Sequence, residues 1–310
     1  VDDPVVDRLC IVGAGHIGSS ILRGVRERGI VRHISVSDQS ADVRKRILEL
    51  GLADFAGDAG DAARNCDLVI LCVPVGAMGT VTERIAPHLK PGAIVSDTGS
   101  VKTSVLVAMA EHIPAHAHLI PAHPVAGLEN SGPDSGLASL FVNRWCILTP
   151  PAEIDQAAVE TVSAFWRALG ANVEIMTPEH HDLVLAITSH VPHLIAYNIV
   201  GTASDLETVT AKEVIKFSAG GFRDFTRIAA SDPVMWRDIF LNNREAVLEM
   251  LGRFTEDLSA LQRAIRWGDG DALFELFSRT RAIRRGVIDA GQAGSDSKPQ
   301  EERQVRQNVN

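Results

Sequence analysis

Leu9-Cys10-Ile11-Val12-Gly13-Ala14-Gly15-His16-Ile17-Gly18 is an apolar run broken by a glycine turn that opens onto an amphipathic stretch. The run predicts a strand, and His16 to Arg28, closed by Gly29, predicts the helix after it. Gly-x-Gly-x-x-Gly alone is a weak signal, but here a strand and a helix flank it. The first glycine permits the tight turn, the second lets backbone approach a pyrophosphate, and the third lets the helix pack on the strand. Free N–H groups and the dipole at the helix start attract phosphates. Gly13, Gly15, His16, Ile17 and Gly18 are therefore candidate dinucleotide-binding residues, against the plainer possibility of a glycine turn with no ligand.

Outward from that stretch the pattern repeats. Ile34 to Val36 reads as a strand and Ala41 to Leu50 as a helix stopped by Gly51. Leu68 to Val73 is continuously apolar, as a strand buried on both faces should be. Val75 to Leu89 reads as helix, Ala93 to Ser96 as strand and Val101 to His112 as helix. Such alternation predicts an α/β fold with a doubly wound parallel sheet of Rossmann type. Further strands are expected at Trp145 to Thr149 and Asn172 to Met176, with a helix over Ile154 to Leu169 between them. From Pro178 onward only helical periodicity remains, over Glu179 to Ala203, Ala211 to Phe217, Pro233 to Ala264 and Asp271 to Asp289. The clear breaks there are Gly220-Gly221 and Ser231-Asp232-Pro233, where Ser231 or Asp232 can cap and Pro233 suits the first turn. The expected organisation is a dinucleotide-binding domain over 1–177, an all-helical substrate and dimerisation domain over 178–290, and a disordered tail over 291–310 with almost no apolar residues.

Composition narrows the function class. The 310 residues are 45% hydrophobic and 22% charged, with a formal net charge of -9 and a pI of about 5.7. An acidic chain is a poor partner for nucleic acid or an anionic membrane, whereas a few placed arginines still allow a small anionic substrate. Cys10, Cys66, Cys72 and Cys146 form no Cys-x-x-Cys pair and read as buried reduced thiols, which points to a cytoplasmic setting. Val1 to Asp7 is acidic and lacks the basic start of a secretory leader. No apolar run approaches the roughly 18 residues of a membrane span. No metal-ligating constellation is evident.

Asp38 lies at the end of the second strand, 20 residues beyond Gly18. A carboxylate there accepts hydrogen bonds from ribose hydroxyls and repels a 2′-phosphate, which favours NAD over NADP; the alternative is a cap for the next helix. Arg44 and Arg46 lie within that helix and read as a solvated face. Val73-Pro74 after the fourth strand, and Thr98 and Ser100 after the fifth, should line the cofactor, because ligands lie outside the carboxyl ends of parallel strands.

His123 follows the apolar Leu119 to Ala122 and falls at the same edge, where a histidine can accept a hydroxyl proton as hydride leaves carbon. The alternative is a structural histidine. In Ser189-His190-Val191-Pro192-His193, a regular helix at about 100° per residue brings Asp182, Ser189 and His193 within roughly 20° of one another, with His190 about 60° away. This stripe reads as a binding face or as a satisfied core network. His180 and His181 read as surface. Arg223 and Arg227, four apart, would share a helix face and suit a dicarboxylate, or would pair with Asp224 or Asp232.

Taken together, Gly13 to Gly18, Asp97-Thr98-Gly99-Ser100-Val101-Lys102, His123 to Gly127, Ser189 to His193, Gly221 to Arg227 and Ser231 to Arg237 resemble the prephenate/arogenate (cyclohexadienyl) dehydrogenase family from about Leu9 to Gly291. The run from Glu129 to Cys146 looks most like the broad-specificity bacterial members, although Leu128 stands where relatives often carry a polar residue. The resemblance implies that His123 is the acceptor for the ring hydroxyl and that Ser100 orients that hydroxyl and the nicotinamide. It implies that Arg227 holds a substrate carboxylate and His193 the substrate side chain or a bound tyrosine. His190 is counted with the substrate-binding cluster. Glu129, Asp182, Arg223 and Trp236 would shape the pocket mouth. Nothing folded is expected after Asp289, so no fused regulatory or mutase domain is expected.

The implied reaction is NAD-dependent oxidative decarboxylation of prephenate or arogenate in tyrosine biosynthesis, by a homodimer joined through the helical domain, with tyrosine as a possible inhibitor. Two rivals remain open from the residues. A β-hydroxyacid dehydrogenase would share the glycine turn but use a lysine, for which Lys212 and Lys216 are the candidates. A non-catalytic NAD sensor would need neither His123 nor Arg227.

Overall fold

The computed structural model describes residues 4–127, 132–205 and 220–287. The expected helix Ala211 to Phe217 with Lys212 and Lys216, the tail, Glu129 and Leu128 lie outside them. The chain divides into two compact units, one reaching to Met250 and the second beginning at Leu251.

Strands β1 (Val6–Val12), β2 (Val31–Ser37), β3 (Phe55–Gly57), β4 (Leu68–Leu71), β5 (Ile94–Asp97) and β6 (His118–Ile120) form one parallel sheet in the order β3-β2-β1-β4-β5-β6. Helices α1 (His16–Arg28), α2 (Ala41–Glu49), α3 (Ala59–Ala63), α4 (Met78–Ile85) and α5 (Thr103–Ala110) fill its connections. The period-2 alternation of a strand divides its side chains between two cores. Leu9 and Ile11 of β1, with Leu68 and Ile70 of β4, join Ile21, Leu22, Phe165 and Trp166 on one face. Cys10, Val12, Val69 and Leu71 join Met78, Ile85, Val105 and Met109 on the other. The continuous apolar runs follow from this double burial, and the expected α/β class holds.

Two expected strands belong elsewhere. β8 (Trp145–Leu148) and β9 (Asn172–Ile175) form a separate three-stranded sheet with β7 (Ala122–Pro124), β7 running antiparallel to β8. Helix α6 (Gln156–Ala168) links β8 to β9, capped by Asp155, whose carboxylate accepts the Ala157 N–H. Pro121 separates β6 from β7. The consequence is that His123 sits on β7, just beyond the parallel sheet.

The helical region departs from the expected helices at three places. The single helix expected over Glu179 to Ala203 is α7 (Pro178–Leu185), one π-helical turn (Ala186–His190) and α8 (Val191–Ser204). Pro192 has no N–H to return to the carbonyl of residue 188, and a wide turn absorbs that loss. After α9 (Gly220–Thr226), which occupies the expected glycine break, a 3-10 turn spans Arg227–Ala230. The helix expected over Pro233 to Ala264 is two, α10 (Pro233–Asn242) and α11 (Arg244–Trp267), parted at Asn243; α12 (Gly270–Val287) ends the described chain. Asp232, not Ser231, caps α10, accepting the Met235 N–H at 2.7 Å.

Among the described residues one helical stretch, Pro178–Ser204, is long and apolar enough to cross a membrane, where the sequence reading expected none. It carries buried His181, Asp182 and His190, and Asp182 is hydrogen-bonded to the start of α5. Its buried residues thus include three polar side chains, one of which bonds it to the α/β region.

Candidate active site

Strand order reverses between β1 and β4, the crevice where a parallel sheet receives ligands. Gly13 follows β1 with φ 95°, and a Cβ there would lie 2.4 Å from the Cys72 carbonyl oxygen. A Cβ on Gly18 would lie 2.0 Å from the Gly13 carbonyl oxygen. These two glycines are required by the protein's own packing. A Cβ on Gly15 would meet nothing within 4 Å, so the backbone faces open space there. The first turn of α1 has no side-chain cap, leaving N–H groups free to receive an anion. His16 and Ile17 are half-buried in that turn, and burial lowers the His16 pKa.

Asp38 follows β2 and accepts the Ala14 N–H and the Ser40 N–H, each at 2.9 Å. Ser40 is the cap of α2, accepting the Val43 N–H, so the capping alternative for Asp38 does not hold. A carboxylate offers about four lone-pair positions, and two remain for ribose hydroxyls. The nearby arginines have protein partners. Arg44 donates to the Asp38 carbonyl at 2.5 Å, and Arg46 pairs with Asp134 at 2.7 Å. Val73 and Pro74 follow β4, and Thr98 follows β5, its N–H donating to the Leu71 carbonyl at 3.0 Å. These residues fit a dinucleotide, and the Asp38 carboxylate opposes a 2′-phosphate.

At the neighbouring edge, a buried ion pair fixes the approach to His123. Asp97 and Lys102 are fully buried and paired through Lys102 Nζ and Asp97 Oδ2. Lys102 Nζ also donates to the Ala122 carbonyl at 2.7 Å, and Asp97 accepts the N–H of Ala122 at 3.2 Å and of Gly99 at 2.7 Å. Both backbone groups of Ala122 are thus pinned, and half-buried Ser100 is carried on the loop between the paired residues. Breaking one partner of such a pair typically costs about 3–5 kcal/mol.

His123 is 7% exposed. Its Nδ1 lies 2.8 Å from His181 Nε2, and His181 Nδ1 lies 2.9 Å from Asp182 Oδ1. Burial first, and then the charge of Lys102, push the His123 pKa well down. Burial also lowers His181, against the pull of Asp182. Burial alone would raise Asp182, but the hydrogen bonds from His181 and from the Lys102 and Thr103 N–H groups outweigh it and hold the carboxyl below its usual range. The imidazoles are therefore neutral, and Asp182 ionised, near neutral pH. Burial pushes the Cys72 thiol up to about 12 and that of Cys146 up as well, so neither supplies a thiolate.

Two expectations are corrected here. His181, read as surface, is fully buried against His123. Asp182, read as part of a pocket mouth and on one stripe with Ser189 and His193, is buried in this network instead. The π turn falls between Asp182 and His193, so regular helical phase does not relate them.

A second cluster lies on the helices. His193 stacks on Trp236, ring centroids 3.7 Å apart, while His190 meets the Trp236 edge at 6.1 Å. Trp236 packs with Ile239 and with Val101, the neighbour of Ser100. His190 Nδ1 faces Asn243 Nδ2 at 3.0 Å; an amide NH₂ donates, so the His190 proton is on Nε2. That Nε2 and Trp236 Nε1 are buried with no hydrogen-bond partner among the described residues. Burial lowers the His190 pKa to about 4. His193 Nδ1 donates to the Ser189 carbonyl at 2.8 Å. Its pKa is lowered by burial and by the charge of Arg227, which places Arg227 within electrostatic reach. Arg223 instead pairs with Asp224 at 3.1 Å and is 74% exposed, the surface alternative. The α-helix ends at Thr226, so the helix face that Arg223 and Arg227 were expected to share is interrupted between them.

The sequence profile described as prephenate dehydrogenase, nucleotide-binding domain, matches residues 21–175, and that described as prephenate dehydrogenase, dimerization domain, matches 177–279. The chain belongs to the prephenate dehydrogenase family. Within that family it is 44% identical over 281 residues to a cyclohexadienyl dehydrogenase of Zymomonas mobilis, spanning 90% of this chain and 96% of the relative. It is 30% identical over 283 residues to a prephenate dehydrogenase of Bacillus subtilis, spanning 91% and 76%. The solved A. aeolicus prephenate dehydrogenase, in complex with hydroxyphenyl propionate and NAD+, superposes with TM-score 0.84 at 31% identity, covering 91% of this chain and 98% of that one. Synechocystis arogenate dehydrogenase superposes with TM-score 0.78 at 26% identity, covering 90% and 99%.

Sequence reasoning overlooked Asp97, Lys102, His181 and Asn243 as parts of this family member's site. Asp97 and Lys102 lay inside a quoted motif, and a lysine and an aspartate at the end of a doubly buried strand require partners. His181 and Asn243 carried no such local signal.

Proposed function

We propose that this chain catalyses the NAD-dependent oxidative decarboxylation of prephenate, arogenate or both, yielding 4-hydroxyphenylpyruvate or tyrosine. The observation that carries the reading is a buried, neutral His123 beside the Ser100 loop, at the edge the dinucleotide crevice shares. Gly15, the start of α1 and Asp38 would hold the dinucleotide, with Val73, Pro74 and Thr98 along its path. When bound, NAD supplies the hydride acceptor. His123 takes the ring hydroxyl proton as hydride leaves the same carbon, and Ser100 orients that hydroxyl. The ring carboxylate departs as carbon dioxide, and aromatisation of the ring supplies the driving force.

Arg227 would grip a substrate carboxylate. The N–H groups of His190 and Trp236, without a partner among the described residues, and His193 stacked beside them would supply donors and an aromatic wall for the rest of the substrate. Tyrosine, sharing the product's ring, would compete at the same cluster.

We also infer a homodimer. Leu258, Ile265, Trp267, Phe274 and Phe277 are exposed in the second compact unit, within the range matched by the dimerization profile, and Ile283 is exposed just beyond it. Four free cysteines, three of them buried, fit the expected cytoplasmic setting.

The direct test is steady-state kinetics with prephenate and arogenate, each with NAD and NADP. Turnover of at least one substrate with NAD supports the reading, and turnover of neither overturns it.

A further inference from the structure

His123 can act as a base only through a nitrogen that carries a lone pair, and which nitrogen that is depends on what the other one does. Asp182 Oδ1 already accepts the Lys102 N–H, at 2.8 Å, and Oδ2 accepts the Thr103 N–H, at 2.9 Å. An ionised carboxylate has no proton to give, so the 2.9 Å contact with His181 Nδ1 requires that nitrogen to donate. A neutral His181 with its proton on Nδ1 has a bare Nε2. At 2.8 Å from His123 Nδ1, that bare nitrogen requires His123 to donate in turn. The proton of neutral His123 then lies on Nδ1, and its Nε2 is free.

We infer that His181 is a positioning residue, anchored by Asp182, that holds His123 in the one tautomer able to accept a substrate proton through Nε2. The inference rests on the reading of His123 as the base. The same carboxylate anchors the first amides of α5, directly after Ser100 and Val101, so one side chain of α7 registers both the base and the loop that carries Ser100. The Asp182 carbonyl accepts the Asn243 amide at 2.9 Å, which fixes α7 from its other side.

The relay also matters when His123 becomes cationic. Its Nδ1–H then donates to a neutral ring backed by a carboxylate, which favours the imidazolium that proton abstraction creates. Among the described residues the other ionisable groups around His123 are Lys102 and Asp97 beside β7, His190 on the π turn and Cys146 on β8, and all of them remain in the variants below.

The experiment compares His181→Phe, His181→Gln and His123→Asn with the full-length wild type. A phenylalanine ring fills the space but accepts nothing, whereas the glutamine carbonyl can take the His123 Nδ1–H. His181→Phe should lower kcat on the order of 10-fold or more, leave KM for NAD and substrate within about 3-fold, and move the acid limb of the kcat/KM profile to lower pH. His181→Gln should recover kcat to within about 3-fold of wild type. Imidazole nitrogen chemical shifts of ¹⁵N-histidine-labelled wild type read the tautomer directly, whether or not the phenylalanine variant folds. His123 should show a protonated Nδ1 and a bare Nε2. A wild-type His123 protonated on Nε2, or full kcat and an unmoved pH profile in His181→Phe while His123→Asn is impaired, overturns the inference. Normal turnover by His123→Asn instead overturns the reading of His123 as base, and the nitrogen shifts still decide the tautomer.

Discussion

On the proposed roles His123 and Arg227 should leave different kinetic marks, because a base acts in the transition state whereas a carboxylate grip is already made in the bound complex. His123→Asn keeps a polar group of similar reach that cannot accept the proton, so kcat should fall about 10²–10⁴-fold with little change in KM. Arg227→Ala removes a charge-assisted hydrogen bond worth roughly 1.5–3 kcal/mol, so KM should rise by one to two orders of magnitude. Some loss of kcat accompanies it if the gripped carboxylate is the one that leaves. Steady-state kinetics of both variants check this, and a normal kcat in His123→Asn ends the assignment. The cofactor assignment is tested at Asp38. Wild type should prefer NAD, and Asp38→Ala should narrow the gap, because the substitution removes both the acceptor for the ribose hydroxyls and the charge that opposes a 2′-phosphate. Equal or better use of NADP by wild type contradicts it.

At the scale of elements, α7 and the π turn put three neutral imidazole neighbours into a dry environment: His181 and His190 on these turns, and His123 against them. A histidine whose folded pKa is depressed binds its proton more readily when unfolded, so stability is complete above the unfolded pKa of about 6.5 and is lost as pH falls below it. For His190, with a folded pKa of about 4, the window runs from about 6.5 down to about 4, and the loss across it is about 3 kcal/mol. The lowered Asp182 pKa acts in the same direction at lower pH, its contribution vanishing as pH falls through the folded value. The midpoint of chemical denaturation should therefore fall steadily from pH 7 to pH 4.5, and His190→Gln should flatten that slope. A flat profile in wild type contradicts the buried neutral state.

For the whole molecule, the exposed rings of Trp267 and Phe274, 73% and 74% exposed, are the large-scale anomaly of the second unit. Amphipathic α11 and α12 carry aromatic and aliphatic side chains that no core among the described residues buries, and an apolar surface of that kind marks an interface. Sedimentation equilibrium should give a dimer at micromolar concentration. Phe274→Asp should shift the chain toward monomer and make its melting temperature depend more strongly on concentration. A monomeric wild type, or a dimer indifferent to Phe274→Asp, removes this surface from the interface.

What the sequence by itself determined is what short-range physics writes locally. The strand, glycine turn and helix from Leu9 to Arg28 were legible because a doubly buried strand must be continuously apolar and because Gly13 and Gly18 leave no room for a Cβ. The placing of His123 at the sheet edge was legible for the same reason, as was a helical region after Pro178. Only the tertiary structure decided what His123 touches. His181 is 58 residues from it, Lys102 is 80 from Asp182, and Asn243 is 53 from His190. Hydrogen bonds of that separation leave no period in a sequence. Helical phase misled where it was extended through Pro192, since one wide turn shifts every later side chain around the axis. The stripe drawn from Asp182 to His193 therefore resolves into two clusters, one around His123 and His181 and the other around His193 and Trp236.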